Sequence, residues 1–212
     1  MTDRPRLLPI HASRHQLSMA VQIVLTTWLL LIPLIALAHV EGGAAGGFLS
    51  GFGHPISGLD HVLAMVAVGL WGAQLSAPAI WLLPVAFPIM MAFGGLLGLS
   101  GVELPAVEVA IALSAVILGA LILGAIRVPL AAALLLVGFF AVFHGHAHGT
   151  EMTAGQSAIL YSIGFVIATG LLHAAGIGIG FIHRWEPGRV ALRGAGGVVM
   201  AGGVFFLWNA LA

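Results

Sequence analysis

The residues in this sequence best suited to chemistry are histidines and carboxylates gathered into two short runs. The first is His54-Pro55-Ile56-Ser57-Gly58-Leu59-Asp60-His61, which leads directly into an apolar segment. Pro55 suits the first turn of a helix, so His54 and His61, seven residues apart, are expected on one helical face, with Asp60 entering the apolar region beside His61. The second is Phe143-His144-Gly145-His146-Ala147-His148-Gly149-Thr150-Glu151, at the end of another apolar segment. On a helix His144 and His148 are i,i+4 neighbours and Glu151 follows one turn later, so two imidazoles and a carboxylate can converge on one ion. His146 points elsewhere, as a further candidate ligand. Glu108 and His173 lie singly inside two other apolar runs. Imidazole and carboxylate without thiolate suit nickel, cobalt or zinc, whereas copper(I) prefers sulfur and magnesium prefers oxygen. The chain has no cysteine, which removes disulfides, thiolate zinc sites and thiol nucleophiles.

Each of these residues also has a purely structural reading. Asp60 and Glu108 can sit as carboxylates at helix N-termini. His144 to Glu151 can form a solvated loop tip, and His173 can bond across a helix interface. Glu103 reads as a solvated loop charge, and Met65, Met90 and Met91 as apolar packing.

The elements that must position these groups are membrane helices. A chain of 212 residues that is 60% hydrophobic and 7% charged, with mean hydropathy +1.13, cannot cover itself for water. Its thirty glycines suit helices that approach closely in lipid. After a Gly-rich stretch from Glu41 to Gly53 come six apolar runs, at 58–76, 79–100, 105–125, 128–148, 156–181 and 191–211. None shows β alternation, and backbone amides in lipid need internal partners, so the expectation is an all-α polytopic bundle of six transmembrane helices. Pro105 and Pro129 fall where a first helical turn tolerates them, and Pro84 and Pro88 interrupt the second run.

Residues 1–38 have the order of a signal peptide: Arg4, Arg6 and Arg14, then the apolar run 19–38 ending Ala36-Leu37-Ala38. Cleavage there leaves His39 at the mature N-terminus, where its α-amine and ring nitrogen can chelate an ion together. Left uncleaved, this segment makes a seventh span. Residues 39–212 form the six-helix transmembrane domain. With the chain after residue 38 outside, Arg127, Arg184, Arg189 and Arg193 all fall in inner loops, as the positive-inside rule requires, and the C-terminus is outside as well. Glu41, Asp60, Glu103, Glu108 and Glu151 then cluster on the outer side with His39, His54, His61, His144, His146 and His148. Such a surface attracts cations and offers ligands to them.

The runs HPISGLDHVLAMVAVGLW, FHGHAHGTEM and GLLHAAGIGIG, in this order on six spans behind a signal-like segment, resemble the HupE/UreJ family of bacterial membrane proteins. The resemblance covers nearly the whole chain after residue 38. It implies a secondary nickel or cobalt permease of the inner membrane, with Ni2+ or Co2+ as cargo and no permanently bound cofactor. Hydrogenase or urease maturation proteins are the implied partners, beside the bilayer and the ion, and no nucleic acid is. The family's H-x5-D-H motif falls on His54, Asp60 and His61, its third-span acid on Glu108, its fourth-span motif on His148 and Glu151, and a second-span aromatic on Phe87. No Walker motif is present, which points away from direct use of ATP. Two rival classes are an intramembrane zinc hydrolase, for which no H-E-x-x-H motif is found, and a haem-b carrier with axial histidines. Intact-mass analysis of the purified membrane protein is expected to read a chain beginning at His39. An unprocessed N-terminus removes His39 from the ligand set.

Overall fold

The structure, a computed structural model, describes residues 44–152 and 157–212. The expected signal segment and His39 lie outside the described residues. Among the described residues, apolar sequence without alternation folds as helix. The order is α1 (Ala44–Ser57), α2 (Leu59–Leu75), α3 (Ala79–Leu99), α4 (Val107–Leu123), α5 (Leu130–Glu151), α6 (Ala158–Gly180), a 3-10 turn (Phe181–Arg184) and α7 (Glu186–Leu211). Among the described residues, helices α3, α5, α7, and α6 with its 3-10 turn are each long and apolar enough to cross a membrane, making four. The bent pair α1–α2 makes a fifth, and α4, at 17 residues, is a shorter apolar helix. The third expected run, 105–125, is trimmed at both ends by left-handed residues, Ala106 at φ 54° and Ala125 at φ 51°. Pro105 therefore lies outside α4, and Pro129 is the N-cap of α5 rather than its first helical residue.

The largest departure from the sequence expectation is at the first motif. The Gly-rich stretch is helical, and Pro55 lies in the last turn of α1 rather than the first turn of a span. The Ser57 hydroxyl donates to the His54 carbonyl at 2.8 Å, taking up an acceptor the ending helix leaves free. Gly58 is extended, and α2 starts from it at 80° to α1, with Val62 N–H donating to the Gly58 carbonyl. His54 and His61 thus sit on two helices either side of a corner, not on one helical face.

Helices pair where glycine removes the side chain between two backbones. Across α3–α5, a Cβ on Gly94 would overlap the Val142 carbonyl, and one on Gly145 the Met91 carbonyl; Gly98 and Gly149 repeat the arrangement one turn on. Gly51 and Gly164 do the same between α1 and α6, Gly69 and Gly176 between α2 and α6, and Gly119 and Gly196 between α4 and α7. Such contact gains dispersion and lets backbones approach, which is how helices associate where lipid offers no hydrophobic drive. Large apolar side chains face outward, among them Leu135, Ile159, Val190 and Trp208, each more than 70% exposed, as a lipid-facing surface requires.

The two ends of the bundle differ in charge. Arg127 lies between α4 and α5, and Arg184, Arg189 and Arg193 lie around the α6–α7 turn. The carbonyls at and just beyond the end of α4 accept from Trp71 Nε1 (to Ile126, 3.3 Å), Gln74 Nε2 (to Ile122, 3.3 Å) and Arg193 Nε (to Leu123, 2.8 Å), which ties these elements together. Asp60, Glu108 and Glu151 lie at the opposite end, where α1 meets α2, α4 begins and α5 finishes.

Gly145→Ala is expected to destabilise the protein by about 1–3 kcal/mol through overpacking against Met91. Gly170→Ala, where a Cβ meets nothing within 4 Å, should be neutral or slightly stabilising. Thermal unfolding of both variants in detergent compares them.

Candidate metal centre

The corner between α1 and α2 opens as a cavity of about 370 Å³ lined by His54, Ser57, Gly58, Asp60, His61, Glu108, Ala147 and Glu151. At its mouth Glu151 is half-exposed, with Oε2 3.0 Å from His54 Nε2 and 3.8 Å from His148 Nδ1. One ligand atom from each of His54, His148 and Glu151 can be chosen so that all lie within 4.8 Å of one another. Ligands around a tetrahedral ion at about 2.1 Å stand roughly 3.4 Å apart, so a bound ion would draw these three slightly inward.

Asp60 lies in the first turn of α2, where its charge faces the helix N-terminus. Its Oδ1 accepts from the His61 backbone N–H and lies 2.9 Å from His61 Nδ1. Gly58 makes room for this pair, since a Cβ there would come within 2.9 Å of Asp60 Oδ1 and 3.1 Å of His61 Nδ1. With the Nδ1 proton held by Asp60, the lone pair of His61 is on Nε2, which is buried and has no hydrogen-bond partner. A carboxylate behind an imidazole in this way orients the ring and raises its basicity toward a metal. Asp60 therefore acts first through His61, from a position in the cavity wall.

Inward from the mouth the imidazoles form a continuous file. The His148 ring lies 4.6 Å from both the His54 and His61 rings, centroid to centroid, and His61 lies 5.1 Å from His144. His144 is fully buried; its Nδ1 donates to the Phe140 carbonyl at 2.9 Å, again leaving Nε2 unpartnered. Both ring nitrogens of His148 are likewise without a hydrogen bond. Phe165 backs His148 at 4.3 Å. A second cavity, about 230 Å³ and mostly apolar, reaches His148 between α3, α5 and α6. Beyond His144 the Phe87 ring stands 5.4 Å away, and His173 lies 5.3 Å from Phe87.

The spacing His144-Gly145-His146-Ala147-His148-Gly149 assigns three jobs to three faces of one helix. Gly145 and Gly149 seat α5 on α3, and His144 and His148 face the file. His146 turns away and bonds the Val102 carbonyl at 2.6 Å, holding the α3–α4 loop. Glu108 is exposed at the cavity rim, and Glu103 is exposed in the α3–α4 loop outside the cavity.

Comparison with known proteins bears on the same residues. A sequence model described as HupE / UreJ protein matches residues 27–206. The chain belongs to the HupE/UreJ family. Protein HupE of Rhizobium leguminosarum bv. viciae is 46% identical over 186 residues, covering 88% of this chain and 97% of that protein. No solved structure matches.

Within this HupE/UreJ chain, the structure brings His54, Asp60, His61, Glu108 and Glu151 to one cavity and sets His148 and His144 behind it. It leaves His146 in a structural bond. Sequence spacing missed the packing of His54 from α1 against His148 from α5, because α1 was not recognised as a helix. The signal that was present is Gly51, four residues before Pro55, which seats α1 against Tyr161.

Asp60→Asn is expected to weaken divalent-ion binding about 10- to 100-fold, because the amide keeps the shape but loses the charge behind His61. Cobalt titration of the purified protein followed by visible absorption measures it.

Proposed function

We propose that this HupE/UreJ protein is a secondary permease that takes Ni2+, and with it Co2+, from the periplasm to the cytoplasm across the bacterial inner membrane. The observation that carries the reading is the file of imidazoles with unpartnered nitrogens leading from a carboxylate-lined mouth into the bundle. A structural buried histidine normally finds a hydrogen bond, and a run of unsatisfied ones calls for a ligand. Nitrogen and carboxylate donors without sulfur fit divalent nickel and cobalt.

In this reading the six apolar units are six spans, with the bent α1–α2 pair as the first, and both mature termini are periplasmic. The arginine end then faces the cytoplasm, consistent with the positive-inside rule. Glu151 and His54 meet the ion first, and its water is exchanged for ligands one at a time. His148 passes it toward His61, whose Nε2 lone pair is held ready by Asp60. Glu108, at the cavity rim, adds a carboxylate that shields the ion's charge as it leaves water. Successive imidazoles at 4.6–5.1 Å centroid spacing let a new ligand engage before the previous one has let go. Delivered ion serves hydrogenase or urease metallocentre assembly. The haem alternative fits less well: a macrocycle between two axial imidazoles separates the ring centroids by roughly 6 Å, and these rings contact each other directly.

Uptake of radioactive nickel by metal-starved cells expressing the protein is expected to exceed that of empty cells and to be suppressed chiefly by cobalt. Protonated imidazole has no lone pair for a metal, and a buried ring resists taking on charge, so uptake should hold through the range near 6.5 in which exposed histidine protonates and fall only at more acid external pH. Uptake that shows no dependence on external pH at all would count against histidine coordination. Hydrolysis of lipid or peptide by the metal-loaded protein, without nickel uptake, would favour the zinc hydrolase instead.

A further inference from the structure

The file of imidazoles does not stop at the outer cavity. His144 is wholly buried with Nε2 unpartnered, and His173, 1% exposed, has neither ring nitrogen hydrogen-bonded. The histidines this chain uses structurally are bonded: His146 to the Val102 carbonyl and His183 to the Gly180 carbonyl. His146 still keeps Nδ1 unpartnered, as His144 keeps Nε2, whereas at His173 both ring nitrogens lack a hydrogen bond of good geometry. One turn before it on the same face of α6, Thr169 is fully buried and its hydroxyl is also unpartnered. Pro88 has no N–H, so the Pro84 carbonyl one turn earlier in α3 is left out of the helical ladder. That carbonyl approaches the His173 ring and can engage one of its nitrogens, which leaves the other free for a ligand. His144 Nε2, a His173 ring nitrogen and the Thr169 hydroxyl thus lie unsatisfied in the interior of the bundle, beside the released Pro84 carbonyl. Between the imidazoles stands Phe87, 1% exposed, with each histidine ring meeting it edgewise at 5.4 and 5.3 Å.

We propose that His173 is the innermost ligand of an interior station for a divalent transition-metal ion, set off from His144 and the outer file by the Phe87 ring. The proposal rests on the permease reading and extends it, since it says where the ion goes after His61. Nitrogen and neutral oxygen donors still suit nickel or cobalt, but the station holds no carboxylate among the residues named here. An ion there keeps more of its positive charge than at the mouth and is held less firmly, as release to the far side requires. Phe87 is a ring that must turn for the ion to pass, so outer and inner stations are separately occupied.

The test uses the full chain, purified in detergent, with Co2+ as the probe because its coordination is visible. The wild-type is expected to bind two equivalents at saturation and His173→Gln one, with the mouth still occupied and with nickel uptake in cells reduced at least about tenfold. The chain has no cysteine, so His173→Cys places a single thiolate at the proposed innermost position. Cobalt should then give a near-ultraviolet thiolate-to-metal charge-transfer band, absent from the wild-type and from His173→Gln. No such band from a variant that still binds cobalt at the mouth would overturn the proposal. So would wild-type uptake by His173→Gln, which defeats the inner station and leaves the permease reading standing. Loss of every equivalent in both variants would mark His173 as a packing residue and overturn it as well. A wild-type protein that takes up no metal at all would defeat the permease reading, and this one with it.

Discussion

Gly94, Gly98, Gly145 and Gly149 give up their side chains so that α3 and α5 meet backbone to backbone, and the imidazoles of α5 take their directions from that contact. Each glycine costs a helix about 0.5–1 kcal/mol relative to alanine, so four in two helices are kept for what they permit rather than for helix formation. With the glycine face fixed against α3, residues one position before it, His144 and His148, turn to the file, and His146 turns to the α3–α4 loop. The same contact brings Phe87 of α3 to His144. A shift of α5 about its axis would break the file and the loop bond together.

Polar groups inside this bundle divide into those with partners and those without. Gln74 and Ser114 are buried and each donates to a backbone carbonyl. His61, His144, His146, His148 and His173 each keep at least one buried nitrogen unpaired, as Gln74 keeps its Oε1, and all of these histidines but His146 line the file or its inward continuation. An unpaired buried polar atom carries its full desolvation penalty, which protein folding seldom tolerates without a functional return. In His61 and His144 it is the Nε2 that is spare, because Nδ1 is engaged by Asp60 or by the Phe140 carbonyl. The file is thus prepared at the level of tautomer as well as position.

Much of this was legible in the sequence. All six apolar runs overlap observed helices along most of their length, because a run of that hydropathy has no other stable form in lipid. The i,i+4 relation of His144 and His148 and the diversion of His146 followed from helical period alone. The corner at Gly58 did not. Pro55 is compatible with the start of a helix and with its last turn, and only packing of Gly51 against Tyr161 and Gly164 against Phe48 decides that α1 exists. Long-range pairing, His54 with His148 and Phe87 with His173, is invisible to any local rule, since it depends on which helix faces which. The left-handed Ala106 and Ala125, which shorten α4, carry no residue-type signal either.

The end of α4 opposite the mouth carries a quieter consequence. Backbone carbonyls at a helix C-terminus point outward as partial negative charges and would ordinarily act as a weak adhesive for a passing cation. Here those of Ile122, Leu123 and Ile126 are already covered by Gln74, Arg193 and Trp71, and arginines surround them. A cation at that face finds those acceptors taken and meets fixed positive charge. The molecule therefore offers donors to a cation at one end and withholds them at the other.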